Sequence, residues 1–367
     1  MPRASLRIAV LAAVLAALLA TPAAAAPNPF FGVKAWAYHP TQAELQRLAD
    51  AGVGTYKLDL LWGKVEPFRR WRQWGEYDQI VADASRAGVA LFPTLFSSPP
   101  WAARNPLYPP RTRATRRAWL RFVRDAVRRY GRRGTFWRTH QGVPYHPITA
   151  WQVWNEPNYP AYWFKRPNAR QYAAFLKITG RAIHGVDRRA TVVAGGLPES
   201  RHGIPITTFL AGIYRYPGAR IAFDAVAIHP YAVGAPGVQG AISRVRAVMR
   251  HHGDARKQLW ITELGWATGG PPNPFTTTAR GQADRLTATY RMLLRHRRAY
   301  KLGIVVWFSL RDRGLFPGEK DWWAPHTGLF DRRGRPKPAW DALASLAGGV
   351  AGTATLAPAN GARAGEP

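Results

Sequence analysis

Cysteine is absent from this 367-residue sequence, which excludes disulfides, thiolate metal sites and a cysteine nucleophile. Acidic side chains are scarce. Only 21 Asp and Glu face 52 Lys and Arg, a formal charge of +31, and lysine itself is rare at nine residues against 43 arginines. The arginines are dispersed: Arg116, Arg117, Arg121, Arg124, Arg128 and Arg129 cover the polar side of one predicted helix. No stretch interleaves basic residues with regularly spaced aromatics, as a nucleic-acid platform does, so nucleic acid is not an expected partner. His-Glu-x-x-His and acidic calcium loops are also missing, so neither a metal nor a cofactor is expected. No long apolar run is present either. Residues 8–20 are uninterruptedly apolar, short of the ~20 residues that span a bilayer.

That run follows Arg3 and Arg7 and precedes the small residues Ala23 to Ala26, the pattern of a secretory signal peptide ending at residue 25. Location outside the cell or in the cell envelope is therefore expected, with no membrane span after cleavage. At the other end, residues 349–367 are Ala, Gly and Pro with scattered polar residues, read as a disordered tail. Between them, residues 26–348 form one expected domain. With 47% hydrophobic residues and 16 tryptophans, it can bury a full-sized core.

Within the domain, short β-rich apolar runs alternate with helical patterns. The runs are 31–38, 55–62, 90–96, 150–155, 190–195, 224–229, 258–263 and 304–309. Apolarity on both faces is what a parallel sheet covered by helices requires. Helix signals fill the gaps. Thr41 and Glu44 make a capping box before Leu45 and Leu48; Tyr77, Ile80, Val81 and Ala84 hold a helical stripe; Asn168 caps a helix carrying Tyr172, Phe175 and Leu176. Weaker patterns lie at 207–214, 242–251, 279–296 and 339–346. Eight such repeats predict an α/β chain closed as a (β/α)₈ barrel, with functional groups at the C-terminal ends of the strands.

Two of those ends carry glutamates among aromatics: Trp154-Asn155-Glu156-Pro157 after the fourth run and Thr262-Glu263-Leu264-Gly265-Trp266 at the seventh. Strands three apart in a ring can aim both carboxyls over the mouth. Acetal hydrolysis needs such a pair, one to protonate the leaving oxygen and one to capture or stabilise the oxocarbenium-like centre.

These segments resemble glycoside hydrolase clan A, and within it secreted bacterial proteins of the family 39-like and family 5-like type. Supporting segments are Asp59-Leu60-Leu61-Trp62, Val65-Glu66-Pro67, His229-Pro230-Tyr231, Gly328-Leu329-Phe330 and Lys337-Pro338-Ala339-Trp340. The resemblance implies a retaining O-glycosidase with Glu156 as acid/base and Glu263 as nucleophile. It also implies that Asn155 bonds the sugar 2-hydroxyl. Tyr231 is expected to orient Glu263, His229 to support the sugar, and Trp307 to be the ring on which the sugar lies. The nearby rings Trp62, Trp163 and Trp266 are expected to bind substrate too. Lys57 stands where many clan members carry an arginine that supports the nucleophile, which leaves the role of that position open because lysine cannot copy a bidentate contact. The expected partner is a poly- or oligosaccharide, acidic if the loop arginines Arg69, Arg70, Arg72, Arg104, Arg111 and Arg113 contact it. Rings spread over several loops favour endo action, and the resemblance implies a β-linked polymer; a monomer is expected. The alternatives are an exo-acting glycosidase or a non-catalytic carbohydrate-binding envelope protein.

Overall fold

The computed structural model describes residues 26–36 and 38–357. The expected leader and residues 358–367 of the expected tail lie outside the described residues. Eight strands form in chain order: β1 (Asn28–Lys34), β2 (Val53–Leu61), β3 (Ala90–Phe96), β4 (Ala150–Val153), β5 (Thr191–Pro198), β6 (Ala225–His229), β7 (Gln258–Leu264) and β8 (Leu302–Phe308). Each pairs in parallel with its sequence neighbours, and β1 pairs with β8, closing the barrel. The helices are α1 (Gln42–Asp50), α2 (Trp62–Val65), α3 (Gly75–Arg86), α4 (Arg113–Tyr130), α5 (Thr135–Thr139), α6 (Ala169–His184), α7 (Ile206–Tyr214), α8 (Ala235–His251), α9 (Ala279–His296) and α10 (Pro338–Ala347). The single-domain (β/α)₈ architecture is the one the alternation predicts.

Local chemistry sets the helix starts. Thr41 and Glu44 cap α1 reciprocally, and Asn168 accepts from Gln171 N at the start of α6. Helix α8 begins seven residues before the expected 242, because Pro236 occupies its first turn, where no N–H is needed. The apolar stripe starts only at Val238, so periodicity alone places the helix too late.

Residues 349–357 are not a frayed end. Val350 N donates to Asp50 O at 2.8 Å and Leu356 N to Gly334 O at 2.8 Å, Trp340 Nε1 reaches Gly352 O at 3.2 Å, and Leu356 is 5% exposed. The segment is polar-poor and aperiodic, yet it supplies backbone partners and one apolar anchor to the barrel wall.

The barrel interior changes character along the strands. Its lower part is apolar: Phe92, Val193, Ala225, Ala227, Trp260, Ile304 and Val306 form one cluster, with Phe92 and Trp260 packed edge to face at 4.8 Å. One pleat further on, at the C-terminal mouth, the same faces carry Lys34, Lys57, Asp59, His229, Thr262 and Glu263. Residues between these positions point outward into the layer between strands and helices, where the larger core lies.

Candidate active site

Glu156 sits just past the end of β4 on a turn with unusual backbone. Trp154 (φ 66°) and Glu156 (φ 46°) are both left-handed, a conformation that costs a side-chain-bearing residue ~1–2 kcal/mol. Surrounding bonds fix the turn. Trp154 N donates to Leu95 O at 3.0 Å and Tyr159 N to Glu156 O at 2.9 Å. Trp154 Nε1 reaches Tyr162 O at 3.2 Å, and Tyr172 OH donates to Val153 O at 2.9 Å. Asn158 Nδ2 ties the following residues to Pro198 O and Ile204 O at 2.9 and 2.8 Å. Strain held by this many contacts points the Glu156 carboxyl at the mouth.

Glu263 is 6% exposed and stands near the end of β7, whose register slips between Ile261 and Leu264. Its Oε1 accepts from Lys57 Nζ at 2.9 Å and Lys34 Nζ at 3.2 Å. Its Oε2 accepts from the Tyr231 hydroxyl at 3.1 Å. Lys34 also pairs with Asp59 Oδ2 at 3.0 Å. The four groups Lys34, Lys57, Asp59 and Glu263 thus form a charge-balanced array, the condition under which buried ions are tolerated.

Between the two glutamates stands His229, fully buried. Its Nδ1 lies 2.8 Å from Glu156 Oε1 and 3.5 Å from Glu263 Oε2, and its Nε2 lies 3.1 Å from Thr262 Oγ1. An oxygen from each carboxylate and a ring nitrogen of His229 all lie within 4.8 Å of one another. Gly196, with φ 77°, admits this packing: a Cβ there would sit 2.7 Å from Gln152 Nε2 and 3.2 Å from His229 Nε2.

The electrostatics follow from these contacts. Burial raises the Glu263 pKa, but His229, Lys57 and Lys34 outweigh it and hold the carboxyl well below its ordinary value. Burial pushes the Tyr231 phenol well up, and the charges of Glu263 and Glu156 add to the effect, so the phenol stays a donor. The two lysines diverge although they share one carboxylate oxygen. Burial dominates at Lys57 and lowers it. At Lys34 burial also lowers, but Asp59 and Glu263 together raise it. Lys34 contacts Asp59 directly as well as Glu263, whereas Lys57 contacts Glu263 alone and is opposed by the Lys34 charge. Glu156, His229 and Glu263 could in principle present three ligand atoms to a metal. However, the ammonium groups already on Glu263 Oε1 oppose a further cation there.

Several expected site residues lie elsewhere. Trp307 is fully buried and faces outward, since Val306 and Phe308 on either side face in; its Nε1 donates to Thr327 O at 3.1 Å and its ring packs on Trp266. The β8 ring at the mouth is Phe308, in register with Lys34 and 5.9 Å from its ammonium. Trp62 is enclosed by Trp101, Trp119 and Phe122, Trp163 by Phe164, Tyr172 and Phe175, and Trp266 donates to Ala232 O at 2.7 Å. All three are at most 2% exposed, so they pack loops and offer no free face to a sugar. His229 likewise bridges the carboxylates instead of facing open space. Asn155 is buried beside Gly196, and its Oδ1 has no hydrogen-bond partner among the described residues.

Lys34, Thr262 and Phe308 are the site residues that sequence reasoning missed. Burial, then the charges of Glu156 and Glu263, push the Tyr162 phenol well up. Lys34 carried a signal: it is a lone charge closing the apolar run Phe30 to Val33.

No protein-family model matches the sequence, and no curated protein matches it. Solved structures do share its fold. A family 39 glycoside hydrolase from the gut symbiont Bacteroides cellulosilyticus WH2 superposes with a TM-score of 0.66 at 22% identity, over 88% of this chain and 64% of that one. A monomeric β-xylosidase from Caulobacter crescentus CB15 gives 0.62 at 19% identity, over 88% and 69%. An exo-β-1,4-mannosidase from Opitutaceae bacterium strain TAV5 gives 0.62 at 17% identity, over 89% and 60%. The chain thus spans about two thirds of the length of these proteins, and what it shares with them is the barrel.

Proposed function

We propose that the protein is an exported, retaining O-glycoside hydrolase that cuts within a β-linked polysaccharide. The observation that carries this reading is the convergence of Glu156 and Glu263 on His229, with one oxygen of each within 4.8 Å. Retaining pairs stand ~5–5.5 Å apart and inverting pairs ~6.5–9.5 Å, the latter leaving room for a water between sugar and base. The glycosidase names of the three fold neighbours agree with the assignment, and the leader pattern supports export.

In the first step Glu156 transfers its proton to the glycosidic oxygen as a Glu263 oxygen attacks the anomeric carbon, releasing the leaving saccharide and forming a glycosyl ester. In the second, Glu156, now a carboxylate, takes a proton from water. The water oxygen attacks the same carbon and Glu263 departs ionised. Lys34 and Lys57 favour the ionised Glu263 that both the start and the end of the cycle need. Tyr231 holds Oε2, and His229 holds Glu156 Oε1, which leaves Glu156 Oε2 for the proton. Asn155, next to Glu156, is placed to meet a hydroxyl of the reacting sugar.

Exposed rings on two separate loops, Trp71 after β2 and Trp322 after β8, support a substrate longer than one unit and hence endo cleavage. Purified protein should be screened against defined β-glucans, mannans, xylans, galactans and uronate-bearing polymers. Chromatography should show a spread of oligomers, and proton NMR of the first product should show retained anomeric configuration. Monomer as the sole product would make the enzyme exo-acting. Binding without turnover across the panel would make it a non-catalytic carbohydrate-binding protein.

A further inference from the structure

The loop from Glu66 to Trp74, between α2 and α3, carries an arrangement that the chemistry at the mouth does not use. Phe68 and Trp71 are 69% and 52% exposed. Their rings stand 5.9 Å apart across a tight turn closed by Trp71 N donating to Phe68 O at 3.1 Å. Solvent exposure of two large rings side by side works against folding unless they meet something. The two residues at the tip are Arg69 and Arg70, and Arg70 is left-handed, with φ 66°.

A buried carboxylate holds this turn. Glu66 is 1% exposed; its Oε1 accepts from Arg70 N at 2.9 Å, and its Oε2 from Trp62 Nε1 at 2.9 Å and Arg72 Nε at 3.4 Å. Its carbonyl accepts from Trp101 Nε1 at 3.0 Å. Gln73 N donating to Val65 O at 2.9 Å closes the base of the loop. Glu66 is thus spent inward, on the loop's own backbone and side chains, while the arginines face out. Beside the turn lies an open pocket of about 490 Å³ lined by Glu66, Arg70, Arg72 and Arg121. Arg72 is tied to Glu66 and Asp125, whereas Arg70 and Arg121 have no ion-pair partner among the described residues. Arg69 lies over the Trp101 ring at 5.3 Å.

Stacking rings next to free guanidinium groups match one chemistry well: a pyranose with an apolar C–H face and a carboxylate that an arginine can grip with two parallel hydrogen bonds. The loop also stands on the same barrel rim as the catalytic groups, a few residues beyond the strand that carries Lys57 and Asp59. We infer that Phe68, Trp71, Arg70 and Arg121 form a distal subsite for an acidic, carboxylate-bearing sugar unit of the substrate chain. This deepens the glycosidase reading and rests on it only for the name of substrate.

Calorimetric binding separates the two ideas, because it needs no turnover. The titrants are a polyuronate and a neutral β-glucan of similar length, each at low and high salt. Trp71→Ala and the double variant Arg70→Ala/Arg121→Ala should each weaken polyuronate binding about tenfold or more. The double variant should also flatten the salt dependence and leave glucan binding and the turnover of a short aryl glycoside unchanged, whereas Trp71→Ala, which removes a stacking ring, should weaken the glucan as well. A control double variant, Arg295→Ala/Arg298→Ala at the far end of the barrel, should bind as the parent does. Equal loss in the control would assign binding to the bulk charge of +31 and overturn the subsite. Unchanged binding in the loop variants, or tighter binding of duplex DNA than of polyuronate that the same variants abolish, would overturn it too. Polyuronate binding that these variants abolish, in a protein that cleaves nothing, would keep the subsite and discard the hydrolase.

Discussion

The two ends of the barrel interior are built from the same eight strands, one pleat apart, and they do opposite things. Below, Phe92, Val193, Trp260 and Ile304 fill the lumen with interlocking apolar side chains. Above, the inward positions hold Lys34, Lys57, Asp59, His229 and Glu263, which bond to one another. The lower layer stabilises by removing apolar surface from water and filling space. The upper layer offsets the desolvation of its charges by pairing them, and holds them in a fixed arrangement at the mouth. A fold can afford the second because the first lies directly beneath it.

Substitutions in the two layers should therefore separate function from stability. Glu263→Ala should abolish nearly all turnover, by about ten thousand-fold or more in kcat on the substrate the screen identifies, with part returned by azide. Circular dichroism should show the barrel intact. Glu156→Ala should lose about a thousandfold on substrates with poor leaving groups and far less on those with good ones, since the latter need no proton; an equal loss on both would remove Glu156 from the acid role. In the lower layer, Trp260→Ala should cost ~3–5 kcal/mol in denaturant unfolding, while kcat per folded molecule changes little. A parallel collapse of activity at temperatures where the variant is still folded would mean the layers are not separable.

A smaller effect probes the charge array. Glu263 is held below its ordinary pKa chiefly by His229, Lys57 and Lys34 against the pull of burial. The carboxylate form is therefore favoured down to low pH, and the acid limb of kcat/KM should lie correspondingly low. Lys57→Met removes one of the opposing cations, so the Glu263 pKa rises and the acid limb should move to higher pH. A limb that stays in place, or moves down, would show that Lys57 does not set the ionisation of Glu263. Smallest of all, Tyr231→Phe removes a single hydrogen bond to Oε2, worth ~1–2 kcal/mol, and should lower kcat by about tenfold with KM nearly constant.

How much of this was legible in the sequence follows the same division. The barrel was readable because eight apolar runs and their capped helices repeat a local pattern, and Glu156 and Glu263 because each sits in a short motif at a strand end. What escaped were relations between distant residues. Lys34 and Glu263 are 229 positions apart, and nothing local to β1 says which carboxylate its one charge will meet. Trp307 was expected at the mouth, but facing is a matter of parity: with Val306 and Phe308 inward, the tryptophan between them cannot be. The slip in β7 register, which lets neighbouring Thr262 and Glu263 both serve the site, is likewise invisible in composition. Trp62, Trp163 and Trp266 have the right type in the right loops, yet packing between loops claims their faces. Residues 349–357 lack any periodicity and are ordered only by partners on the barrel, such as Asp50 and Gly334.

The claim beneath all of this is that Glu263 attacks while Glu156 supplies the proton. The decisive measurement is peptide mass spectrometry after stalling the reaction with 2-deoxy-2-fluoro glycosides of the sugar that is turned over. A glycosyl adduct on Glu263, absent from Glu156 and from the Glu263→Ala variant, is the expected result. An adduct on Glu156, or steady hydrolysis with inverted configuration and no adduct at all, would contradict it.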